Sequence, residues 1–79
     1  MDAVEELILS QKKRLEKSEQ LATEAREMAE KAKARFKAGE NDNKELKAIA
    51  KEIASATVLM EEAIEIRKEC LEELKAFKI

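Results

Sequence analysis

Proline, histidine, tryptophan and tyrosine are missing from this 79-residue chain, and glycine and cysteine occur once each. Each gap excludes something. With no proline and a lone Gly39, nothing else in the chain interrupts a helical backbone. Aromatics amount to 3%, two phenylalanines in all, so there is no series of rings on which nucleic-acid bases could stack. The absence of histidine removes the usual partner for a catalytic thiolate at Cys70, and with it the Glu-x-x-His pairs that build metal sites in bundles. A single cysteine cannot close an internal disulfide, so a reducing compartment fits best. No apolar run approaches the roughly 18 residues of a membrane span. The densest clusters, Leu7-Ile8-Leu9 and Val58-Leu59-Met60, are far shorter. The start, Met1 to Glu6, lacks the basic end and apolar centre of a signal peptide.

What is present is charge and hydrophobic residue in nearly equal measure, 43% and 44%, with a formal net charge of −2. The hydrophobic residues are periodic rather than scattered, which separates the chain from charged disordered segments and places it in the long-helix class. The near-neutral balance gives no reason to expect nucleic acid or an anionic membrane as partner. From Leu46 to Phe77 apolar residues recur every three or four positions. With Leu46 at heptad position a, the a row is Leu46, Ile53, Met60, Arg67, Leu74 and the d row is Ile49, Ala56, Ala63, Cys70, Phe77. Ala50, Thr57, Ile64 and Leu71 fill e, and Leu59 and Ile66 fall at g. A helix apolar at a, d, e and part of g must be covered from more than one direction.

The first half carries the same repeat in three rows. They are Ile8, Leu15, Ala22, Ala29, Phe36; Val4, Gln11, Ser18, Ala25, Ala32; and Leu7, Arg14, Leu21, Met28, Arg35. Asp2 with Glu5 reads as a capping box opening this helix, which at about 36 residues would be about 54 Å long. Gly39 sits where a left-handed C′ residue should end it, and Lys33, Arg35 and Lys37 suit the negative end of its dipole. Glu40-Asn41 makes the turn, and Asp42 with Glu45 repeats the capping box. So short a connection forces the helices antiparallel. Pairing positions whose numbers total roughly 82 then sets Phe36 against Leu46, Ala32 against Ile49 or Ala50, Ala29 against Ile53, Ala22 against Met60 and Ile8 against Leu74. Val4 approaches Phe77, and small residues of the first helix face large ones of the second. Lys12, Lys13, Arg14 and Lys17 lie level with Glu61, Glu62, Glu65, Glu69 and Glu72.

The expectation is an all-α fold, a single domain consisting of a two-helix antiparallel hairpin (helix about 3–38, turn 39–42, helix about 43–78) that oligomerises into a helical bundle. One line of helix contact leaves much of each stripe in water, and a chain this small supplies on the order of 3–5 kcal/mol from its own core. A two-fold dimer forming a four-helix bundle is the simplest closure. A higher cyclic ring with the second helix inside is an alternative. So is an interaction module whose stripe takes a helix of another protein. The residues expected at the oligomer interface are Leu7, Gln11, Ser18, Leu21 and Met28 of the first helix. From the second come Thr57, Leu59, Met60, Ile64, Ile66 and Leu71.

Gln11, Ser18 and Thr57 interrupt apolar rows. Either each is partly exposed or bonds a carbonyl one turn back, or together they form a buried hydrogen-bonded layer between subunits that penalises wrong registers. Arg14 and Arg67 also fall in the stripe, where they can lay their stems on the core and reach glutamates; lining a polar channel through a ring is the other reading. Cys70 at d is a small buried hydrophobe. Glu24, Glu27 and Glu30 read as a solvated face, and the basic run Lys31 to Lys37 as helix-end complementarity. No catalytic, cofactor-binding or metal-binding residue is expected, and no nucleic acid, membrane or small-molecule substrate. The expected partner is a second copy of the chain.

The paired Asp-x-x-Glu boxes at Asp2 and Asp42, the single turn Gly39, the Ala/Glu/Lys/Arg-rich faces and the isolated polar residues in a heptad stripe resemble de novo designed helical-hairpin bundles. The resemblance runs the length of the chain. It implies a protein whose purpose is its own assembly, with no substrate.

Overall fold

The computed structural model describes residues 2–39 and 41–77. Two helices, α1 (Ala3–Ala38) and α2 (Asn43–Ala76), pack antiparallel into a rod of 59 × 17 × 13 Å. Both begin with the N-cap half of the expected capping box. The Glu5 N–H donates to Asp2 Oδ1 at 2.8 Å and the Glu45 N–H to Asp42 Oδ1 at 2.8 Å, each satisfying a donor that the helix itself leaves free.

The ends differ from expectation. Gly39 is not left-handed: at φ −157° and ψ 175° it is extended backbone that any residue adopts. The physical reason lies two residues on. Asn41 Nδ2 donates to the Phe36 carbonyl at 3.0 Å, so a side-chain amide caps the C-terminus in place of a glycine turn. Glu40, the other expected turn residue, lies outside the described residues. α2 ends at Ala76 rather than about 78, with the Phe77 N–H closing the last turn on Glu73 O (3.0 Å) and Leu74 O (3.3 Å); Lys78 and Ile79 lie outside the described residues.

The helices meet along two rows apiece. Gln11, Ser18, Ala25 and Ala32 of α1 are buried, as are Ile49, Ala56, Ala63 and Cys70 of α2. Gln11 Nε2 donates to Cys70 O at 2.9 Å, which sets the level. Heptad steps from that bond bring Ser18 level with Ala63, Ala25 with Ala56 and Ala32 with Ile49. A second row is bounded by ion pairs, Arg14–Glu73 (2.7 Å) and Arg35–Glu52 (2.5 Å). Between them the same steps set Leu21 level with Ile66 and Met28 with Leu59, all four half-buried.

The seam is therefore one row away from the expected one. Ile8, Phe36, Leu46, Ile53 and Leu74 are exposed, and the pairings Phe36–Leu46, Ala29–Ile53 and Ile8–Leu74 do not form the buried line. Ala22, Ala32 and Ile49 are buried as expected. The d row carries no charge while the a row contains Arg67, and the small d residues let the backbones approach closely. The ion pairs differ too. Arg14 and Arg35 reach Glu73 and Glu52, not the five glutamates from Glu61 to Glu72.

A Cβ at position 39 would meet no atom within 4 Å, and the backbone there is open to any residue. Gly39→Ala should therefore raise stability by about 0.4–1 kcal/mol through the unfolded chain. Urea unfolding checks this; a loss of stability would mean that the turn needs glycine after all.

Candidate interaction surface

A helical residue row lies about 50° round the helix from its neighbour in a heptad repeat. The row next to the buried one, on the side away from the ion pairs, carries large residues along α2 and at both ends of α1, with alanines between them on α1. On α1 it is Ile8, Leu15, Ala22, Ala29, Phe36; on α2 it is the a row, with Ile64 and Leu71 of the e row beside it. The two helices of an antiparallel pair are related by an approximate two-fold axis perpendicular to both, so equivalent rows emerge on the same side of the rod. An open groove lined by Ala25, Arg26 and Ala29 of α1 and by Ile53, Ala56, Thr57 and Met60 of α2 lies on that side. Both rows thus border one surface.

That surface is apolar and wet. Ile8 is 59% exposed and Phe36 58%, with Leu15, Leu46, Ile53, Ile64, Leu71 and Leu74 also exposed. On the opposite side the rows carry Ser10, Lys17, Glu24 and Lys31 on α1 and Ser55, Glu62 and Glu69 on α2, all in solvent. The hairpin has one greasy side and one polar side.

The residues expected at an oligomer interface fall into two groups. Gln11 and Ser18 are buried in the seam of the hairpin itself, and Leu7, Leu21, Met28, Leu59 and Ile66 are half-buried in its second row. Thr57, Ile64 and Leu71 lie on the open apolar side, with Met60 half-buried at its inner edge. The structure brings onto that side Ile8, Phe36, Leu46, Ile53 and Leu74, which the sequence pairing sets in the seam, and with them Leu15. The signal that separates the groups was present. Arg14 and Arg35 stand three heptads apart, as do Glu52 and Glu73, so a register exists in which both arginines meet a carboxylate at once.

The polar residues of the stripe are held within the chain. Ser18 Oγ donates to Leu15 O at 3.0 Å and Thr57 Oγ1 to Ile53 O at 2.9 Å, the bonds to the preceding turn that such residues make in helices. Gln11 instead crosses the seam to Cys70 O. Arg67 Nε donates to Ser18 Oγ at 3.2 Å. Arg14 Nη2 donates to both Glu73 oxygens at 2.8 and 2.7 Å, and that hydrogen bond, outweighing the opposing effect of desolvation, raises the guanidinium above its ordinary pKa. Roughly a third of each side chain remains exposed, so the pair selects register more than it adds stability.

Among the described residues no group of three His, Cys, Asp or Glu side chains is placed to hold a metal ion. None of the described helices is long and apolar enough to cross a membrane. No family model, curated protein or solved structure matches the chain.

Ala63 is fully enclosed between the helices. Ala63→Leu should push them apart and lower stability by about 1–3 kcal/mol, read by urea unfolding. An unchanged midpoint would show that the d row is not the line of closest approach.

Proposed function

We propose that the chain is a structural self-assembly module, a homo-oligomer closed through the apolar side of the hairpin, most simply a dimer forming a four-helix bundle. The observation that carries this is the concentration of large exposed aliphatic and aromatic residues on one side of the rod, with Val4, Leu9 and Val58 the only others exposed among the described residues. The outline of that side, 59 × 17 Å, is on the order of 1,000 Å². A stable interface buries roughly 800 Å² per partner, and the largest apolar patch of an ordinary monomer is about 300–600 Å². A side of that outline is large enough to hold such an interface. Two-fold closure is favoured because each copy presents the same single side, which a second copy covers completely. The reading assigns no reaction to the chain, and it agrees with the resemblance to designed hairpin bundles.

Sedimentation tests it. The wild-type chain should run at twice its 9.0 kDa mass at micromolar concentration. Ile53→Lys with Leu71→Lys should return it to 9.0 kDa with its helicity retained, because neither side chain is part of the seam. A rigid, helical wild-type monomer would overturn the proposal in favour of a surface for another protein's helix. A mass above the dimer would point to the ring.

A further inference from the structure

Arg67 is the one charged residue in the a row of α2, amid Leu46, Ile53, Met60 and Leu74 on the apolar side. Its Nε is bonded to Ser18 of its own chain, and among the described residues no carboxylate pairs with it. At the same level on α1 lies a second open groove. Ile8, Gln11 and Leu15 line it together with Glu16, Glu19 and Lys12, two carboxylates against one ammonium. An apolar floor with a net negative rim suits an arginine, whose aliphatic stem and planar guanidinium match the two parts.

Two copies can meet face to face about a two-fold axis in two ways. If the axis runs along the rod, both turns lie at one end and every residue keeps its level. α1 then lies over the partner's α2. The partner's Arg67 arrives level with Leu15 at the acid-rimmed groove, and the partner's Ile53 and Met60 arrive over Ala29 and Ala22. If the axis runs across the rod, the turns lie at opposite ends and α2 covers α2. The partner's Arg67 then meets Ile53, and Ala22 of each α1 faces its own copy across a gap. Charge and size both select the first arrangement. Resting on the self-association proposed above, we infer that two hairpins pack with their turns at the same end, Arg67 of each entering the Ile8–Leu15 groove of the other and donating its Nη groups to Glu16 and Glu19.

Arg67→Glu should weaken the dimer about tenfold or more, and adding Glu16→Lys with Glu19→Lys should restore it to within about threefold. Orientation is read separately with a spin label on Lys44→Cys in a Cys70→Ala background. Position 44 lies near the turn, on a row directed away from the apolar side. Turns at one end place the two labels within roughly 35 Å, given neighbouring helices 8–10 Å apart. Turns at opposite ends separate them by nearly the 59 Å rod length. A dimer with the long distance, or one indifferent to Arg67→Glu, overturns this arrangement and leaves self-association standing. A wild-type chain that stays at 9.0 kDa overturns both.

Discussion

The two helices touch where their side chains are smallest, and this close seam governs the distribution of everything larger. Ala25 and Ala32 on α1 and Ala56 and Ala63 on α2 are buried, with Ser18 and Cys70 extending the same line. None of these exceeds a few heavy atoms. A seam of small residues allows close backbone approach and continuous van der Waals contact along the rod. It also buries little apolar area per residue, so the hydrophobic content of the chain is not consumed by folding. The large residues are displaced to the flanks, and on one flank Arg67 is the only charge in the rows that border the seam.

The charged and polar side chains make sense against that seam. Arg14–Glu73 and Arg35–Glu52 bracket Leu21, Ile66, Met28 and Leu59, so a slide of one heptad would bring an arginine opposite an aliphatic side chain. Half-exposed ion pairs contribute little to stability, but unpaired charges at the edge of a core are penalised, and that asymmetry selects the register. Gln11 does the same inside the seam. Its amide reaches the Cys70 carbonyl at one level only, and displaced it would be a buried group without a partner. The small residues determine how closely the helices approach, and the polar ones determine which residues meet.

The apolar side then becomes the part of the molecule with unfinished chemistry. Phe36, Leu46 and Ile53 at one end and Ile8, Leu71 and Leu74 at the other are held in position by rigid helices, yet remain exposed. A preorganised surface of this kind loses little conformational entropy when covered, which favours association of intact hairpins over any rearrangement of the hairpin itself.

The all-α class, the two helices with their starts at Asp2 and Asp42, the turn and the antiparallel order were all legible in the amino-acid sequence. They follow from local physics: heptad periodicity, capping side chains and the lack of other helix breakers. The expected level of the helices, totals near 82, also lies close to the observed Gln11–Cys70 pairing. Which row of each stripe would face its own partner helix was not legible. Several adjacent rows are apolar in both halves, and periodicity ranks a row of alanines no higher than a row of isoleucine and leucine. Only the packed pair decides that, because it depends on how near two backbones can come and on whether Arg14 and Arg35 find carboxylates at the same time. The left-handed glycine was lost for a similar reason. Asn41 caps the Phe36 carbonyl from beyond the helix end, a contact that exists only once the turn has formed.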